Sequence, residues 1–159
     1  MARLARIVIP GVAHHVTQRG NRRQQVFFTD DDYAEYRALI EQSCSAAGVA
    51  VWACYLMPNH VHLVLVPADA AGLRAALADA QRRYSRRFNF REGWRGYLWQ
   101  GRFASVVMDE PHLLACVRYV ELNLVRAGLV AQAQDWPGSR RPRSSSHTGL
   151  LRHWPKGSC

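Results

Sequence analysis

The feature that most constrains this chain is a pair of β-prone runs, Val49 to Leu56 and His60 to Val66, separated only by Met57-Pro58-Asn59. A turn that short pairs the two runs as an antiparallel hairpin. Side chains alternate across a strand, so Val61, Leu63 and Leu65 share one face while His60 and His62 project from the other. A hairpin with an apolar face needs further layers to cover it.

The rest of the chain provides them. Residues 12–18 (Val-Ala-His-His-Val-Thr-Gln) read as a first strand that ends at the turn signal Gly20-Asn21. Thr29 before Asp30, Asp31 and Asp32 starts a helix, because a hydroxyl and carboxylates satisfy free amides at the positive dipole end. Tyr33, Tyr36, Ile40 and Cys44 recur at helical spacing, and Gly48 closes that helix. Leu73, Leu77, Ala80, Tyr84 and Phe88 stripe a second helix, a Gly- and Trp-rich loop runs from Gly93 to Gly101, and Phe103 to Met108 is a fourth strand. Asp109 caps a third helix with Pro111 in its first turn, ended by Gly128. The order β-α-β-β-α-β-α predicts an α+β fold: a ferredoxin-like split β-α-β with an antiparallel sheet and its helices on one face. One domain is expected over residues 1–137, followed by a flexible basic tail at 138–159, where Ser, Arg, Pro and Gly dominate without periodicity.

Charge narrows the partner. A net charge of +9 points to a polyanion, although five basic residues beyond Pro137 leave only +4 for the body. Four scattered cysteines (Cys44, Cys54, Cys116, Cys159) form no Cys-x-x-Cys pair, which argues against a zinc knuckle and a disulfide framework. No run approaches the roughly 18 apolar residues of a membrane span, and no signal-peptide core precedes residue 10. A cytoplasmic protein is expected.

The chemistry concentrates in two places. His60 and His62, side by side on a strand, make half of a divalent-metal site. On the last helix Leu113, Val117, Val120 and Leu124 form the core stripe, whereas His112, Cys116, Tyr119, Asn123 and Arg126 form a second stripe roughly 110° away. Tyr119 and Asn123 are an i, i+4 pair and therefore neighbours. Each feature alone reads as ordinary packing or solvation; together they suit phosphoryl transfer. A metal held by two imidazoles and an amide oxygen keeps positions open for phosphate oxygens, and a phenol in line is a competent nucleophile that yields a phosphotyrosine. No Gly-x-x-x-x-Gly-Lys loop is present, consistent with a reaction that needs no nucleotide cofactor.

The run Tyr55-Leu56-Met57-Pro58-Asn59-His60-Val61-His62-Leu63 resembles the signature of the single-tyrosine HUH transposases, specifically their REP-associated branch. Three further segments agree in order: His15 to Asn21, Leu98 to Phe103, and Arg118 to Asn123. The resemblance implies the HUH endonuclease fold, dependence on Mg²⁺ or Mn²⁺, and a 5′-phosphotyrosine intermediate. It assigns His60, His62 and Asn123 to the metal and Tyr119 to nucleophilic attack. It also implies a single-stranded DNA substrate with a short hairpin, as in REP-like repeats, beside a guide tetranucleotide. The chain departs from the family pattern at Leu124, where proline is usual, and after Pro137, where Gly138-Ser139-Arg140-Arg141 diverges.

Candidate DNA contacts fall in three groups. Arg82, Arg83 and Arg86 flank the second helix's apolar stripe, with Arg82 and Arg86 one turn apart and spaced for successive phosphates. Arg19, Asn21, Arg22 and Arg23 crowd the turn after the first strand, where they can meet bases or a hairpin backbone. Arg102 belongs to a family-like segment and ranks above Trp94, Tyr97 and Trp99, which read as core anchors before stacking platforms. His14 and His15 lie on opposite faces of the first strand, so one of them can approach the metal side, although a packed or hydrogen-bonded histidine is the preferred reading. The enzyme is expected to act as a monomer or homodimer. The competing reading is a catalytically inactive or domesticated module that binds single-stranded DNA or RNA hairpins without cutting. A small-molecule metallohydrolase needs more ligands than this chain offers, and Val64 occupies the third position that a histidine-triad hydrolase requires.

Overall fold

The structure, a computed structural model, describes residues 6–126 together with Ser139 and Arg140. Its elements are β1 (His14–Arg19), α1 (Asp30–Ala46), β2 (Val49–Met57), β3 (His60–Pro67), α2 (Gly72–Glu92), β4 (Ala104–Val107), α3 (Glu110–Arg126) and β5 (Ser139–Arg140). The sheet runs β4-β1-β3-β2-β5 with every pair antiparallel. β1 and β2 flank β3, and β3 and β4 flank β1, so both helical crossovers skip one strand; this is the split β-α-β.

The hairpin forms as its alternation dictates. Met57 pairs with His60 and Tyr55 with His62, and the register slips once, between Val51 and Ala53. The first strand is shifted toward the C-terminus, His14–Arg19 against 12–18, and the fourth is shorter, Ala104–Val107 against 103–108. α1 opens on a full capping box: Thr29 Oγ1 accepts from the Asp32 amide at 3.3 Å and Asp32 Oδ2 accepts from the Thr29 amide at 3.2 Å.

α1 and α2 cover one sheet face. Val16, Val61, Leu63 and Leu65 from the strands meet Tyr36, Ile40, Leu73, Leu77 and Tyr84 from the helices there, all at or near zero exposure. The Tyr84 hydroxyl donates to the buried Val26 carbonyl at 2.6 Å, so this aromatic core leaves that polar end satisfied. The expectation of helices on one face fails for α3. Leu113 and Val117 pack instead with Ala53, Tyr55, Met57 and Val64 on the opposite face. The reason is that β2 and β3 carry buried side chains on both faces, so the amphipathic third helix finds its own apolar patch. The sheet also reaches past the boundary expected at 137, because Ser139 and Arg140 pair with Tyr55 and Cys54. The rest of the expected tail lies outside the described residues. Among the described residues no helix is long and apolar enough to cross a membrane.

Candidate active site

Burying Val61, Leu63 and Leu65 forces His60 and His62 onto the face that α3 shares. Register places His62 between Thr17 and Tyr55, and His60 between Arg19 and Met57. α3 covers part of this face, in a patch that runs from Ala53, Tyr55 and Met57 of β2 to Ala13 and Met108 beside β1 and β4. On the β1–β4 side a cavity of about 300 Å³ stays open, lined by Thr17, Gln18, Arg19, His60, His62, Gln100, Arg102 and Ala104. Three cationic or metal-ligating segments distant in sequence thus meet: Arg19 from β1, the two histidines from β3, and Arg102 from the loop before β4.

Each histidine has a partner for Nδ1. His60 Nδ1 lies 2.6 Å from Asn59 Oδ1, and the Asn59 amide nitrogen donates to the Arg23 carbonyl at 3.2 Å. An amide oxygen only accepts, so His60 carries its proton on Nδ1 and keeps the Nε2 lone pair for another ligand. His62 Nδ1 stands 3.0 Å from His15 Nε2, with the two rings stacked 5.2 Å apart at 11°. A single proton bridges these nitrogens; resting on His62 Nδ1, it leaves Nε2 of His62 as a lone-pair donor. The His60 and His62 rings meet edge to face, 5.0 Å between centroids.

The three imidazoles are held neutral. Burial, then the repulsion that a charged His62 would meet from protonated His60 and His15 and from Arg19, pushes His62 down to about 3. Burial and then Arg19 lower His60, and burial lowers His15. Neutral imidazole is the form that ligates a divalent cation. The donor chemistry therefore fits a cation, but only two imidazoles are offered: no group of three His, Cys, Asp or Glu able to hold a metal occurs among the described residues. Oxygen donors must complete the set. Gln18, which borders the cavity but pairs with Val61 and so carries its side chain on the core face, gives its amide nitrogen to the Gly101 carbonyl at 3.2 Å, while its buried Oε1 has no hydrogen-bond partner.

Tyr119 stands on α3 and so on the histidine side of the sheet. It is 56% exposed and lies outside the cavity wall, whereas Leu113 and Val117 on the same helix are buried. The side chain of Asn123 falls outside the described residues.

Residues 9–123 match the family described as Transposase IS200 like. This chain belongs to that family. A protein of Haemophilus influenzae named as a REP-associated tyrosine transposase is 24% identical over 123 residues, covering 70% of each chain. The solved structure of a REP-associated tyrosine transposase bound to a REP hairpin superimposes with a TM-score of 0.66 at 23% identity, covering 97% of this chain and 88% of that one. A transposase candidate from Deinococcus radiodurans gives a TM-score of 0.53 at 20% identity over 76% of this chain and 96% of that chain. At these identities the structural matches speak for the shared fold.

In this IS200-like transposase the expected DNA contacts separate. Arg19 and Arg102 join the histidine cavity, and Asn21 and Arg22 line a second cavity beside it. Arg23 occupies the same turn as Asn21 and Arg22. Arg82, Arg83 and Arg86 are carried by α2, on the far layer. Arg82 and Arg83 bind Asp79 of their own helix at 2.7 and 3.5 Å, while Arg86 is exposed. They are not brought to the cavity. Asn59 and Gln100 escaped the sequence reading as functional, and His15 was preferred there as a packed or hydrogen-bonded histidine over one near the metal. The pleat placed His15 opposite His14, and Asn59 sat in the hairpin turn, but nothing local announced their hydrogen bonds to the metal-type histidines.

Proposed function

We propose that this family member nicks and rejoins single-stranded DNA, with Tyr119 as nucleophile and a divalent cation, Mg²⁺ or Mn²⁺, bound at His60 and His62. The observation that carries this reading is the placement of His60 and His62 side by side in an arginine-flanked cavity, on the sheet face that also bears the Tyr119 helix. His60, His62 and an amide oxygen from Asn123 would hold the cation, which when bound supplies Lewis-acid polarisation of the scissile phosphate. Arg19 and Arg102 bind the phosphate oxygens and orient the strand. The Tyr119 oxygen attacks phosphorus, the bond from phosphorus to the 3′ oxygen breaks, and the phenol proton leaves to solvent as the 3′-hydroxyl forms. The 5′ phosphate remains on Tyr119. Attack by a 3′-hydroxyl reverses the step and rejoins DNA, so no nucleotide cofactor is consumed.

The substrate we assign is a single strand with a REP-like hairpin, following the hairpin-bound protein that this fold resembles. A binding-only module is the second reading, favoured by the position of Tyr119 outside the cavity wall. One experiment separates the two. Full-length protein is incubated with single-stranded REP-like hairpin DNA and Mn²⁺ or Mg²⁺, and adducts that survive denaturation are resolved on a gel. An adduct that disappears in Tyr119→Phe, in His60→Ala and in chelator supports the enzyme. Tight binding without adduct across a panel of hairpin strands rejects it.

A further inference from the structure

Beside the histidine cavity lies a second one of about 430 Å³, between the turn at residues 21–24 and the loop at 94–97. We infer that it stacks one unpaired base of the strand whose phosphate is held at His60 and His62, with Tyr97 as the platform. The inference rests on the DNA reading above and adds to it a base-binding subsite outside the cleavage cavity.

The loop divides its aromatics in two. Leu98 and Trp99 are buried at 2% and 7%, anchoring the loop in the main core, while Tyr97 is 88% exposed. Trp94 leans edge to face on Phe88 and remains half in water. A large aromatic ring left this open beside polar groups invites a flat ligand. The loop does not need that ligand to hold its shape: the Asn89 side-chain nitrogen donates to the Gly96 carbonyl at 3.0 Å and the Trp94 amide to the Asn89 carbonyl at 2.9 Å.

The opposite wall is a strained turn. Arg22 and Arg23 both adopt left-handed backbone, φ 54° and 61°. Consecutive non-glycine residues in this region cost on the order of 1–2 kcal/mol each, and such strain persists where surrounding structure enforces it. Here the Arg23 amide bonds the Gly20 carbonyl at 3.0 Å and the Asn21 amide bonds the Leu98 carbonyl at 2.8 Å. The result presents Asn21, Arg22 and Gln24 toward Tyr97 across the cavity. Amide and guanidinium groups are the side chains that read base edges, and an aromatic face accepts any base.

The walls of the two cavities are linked through the backbone, and Asn89 of α2 completes the second. Gly20 pairs with Trp99, and the Gln100 amide bonds the Arg19 carbonyl at 2.8 Å. Arg19 and Gln100 line the first cavity; Asn21 and Tyr97, just beyond the paired Gly20–Trp99 ridge, line the second. A strand that crosses this ridge engages both. No carboxylate lines either cavity, so the path suits a polyanion.

Photocrosslinking tests this. Hairpin strands with 5-iodouracil at single unpaired positions are irradiated with the full chain, and the crosslinked peptide is identified by mass spectrometry. One position is expected to crosslink to Tyr97 or Trp94. Tyr97→Ala is expected to weaken strand binding about 5- to 100-fold while Tyr97→Phe keeps it, at unchanged melting temperature. Wild-type affinity in Tyr97→Ala, or crosslinks confined to the histidine cavity, overturns the inference even if the Tyr119 adduct forms. A crosslink at Tyr97 without any adduct in the wild type instead rejects the nuclease reading alone.

Discussion

His15 and His62 come from neighbouring strands, yet their ring nitrogens stand 3.0 Å apart and their rings stack. The contact holds the ring against rotation and, with the shared proton on His62 Nδ1, frees Nε2, the role that a hydrogen-bonding partner plays behind a metal-binding histidine. His15→Ala is expected to lower Mn²⁺ affinity about 10- to 100-fold by titration calorimetry. Unchanged affinity would mean that His62 is oriented without His15.

Asn59 performs the same service for His60 and also ties it to the turn that carries Arg23. Asn59→Ala removes both bonds. Its Mn²⁺ affinity should fall by about the same 10- to 100-fold. Asn59→Asp keeps an acceptor for His60 Nδ1 and should recover most of the loss. Equal defects in the two variants would remove the hydrogen bond to His60 as the cause.

Gly20 tolerates no side chain. A Cβ there would stand 2.3 Å from the Gln24 carbonyl oxygen and 2.8 Å from Val26 Cγ1. The first of these is backbone, so the turn itself must shift. Gly20→Ala is expected to cost about 1–3 kcal/mol in urea unfolding and to weaken strand binding through displaced Asn21 and Arg22. A variant with wild-type stability and wild-type binding contradicts this.

Asp32 sets a pH dependence for stability. Its carboxylate is 1% exposed; burial alone would raise its pKa, but hydrogen bonds from Arg91 and from the Phe28 and Thr29 amides outweigh burial and lower it. The folded value thus lies below the unfolded value of about 3.9, so the stabilisation is fully present above that pH and is lost as pH falls through the folded value. Asp32→Asn is expected to cost about 1–2 kcal/mol at pH 7, a figure held down because Arg91 is half in water, and the gap to wild type should close as pH drops below about 4. A gap that stays constant from pH 7 to pH 3 would show that the charge does not matter.

Much of this was legible beforehand because it depends on local rules. The β2–β3 hairpin follows from alternation around Met57-Pro58-Asn59, the α1 start from Thr29 and its acids, and the opposed faces of His14 and His15 from the pleat. The seat of α3 was not legible. Leu113 and Val117 state that the helix needs an apolar surface, but Ala53, Tyr55, Met57 and Val64, which supply it, are drawn from two strands and become a patch only after pairing. The left-handed pair Arg22–Arg23 was equally hidden, since arginine carries no preference for that backbone. Pairing of Arg82 with Asp79 lies three residues away on one helix and could have been read from the sequence.

The segregation of α3 on its own patch has a consequence for motion. Main-core residues such as Val16, Leu63 and Tyr36 lie across the sheet from the patch under Leu113 and Val117. The helix that bears Tyr119 can therefore lift and resettle while the main core remains dry. Its opening free energy is that of a small, separate cluster, and hydrogen exchange should reach its amides well before those of α1 and α2.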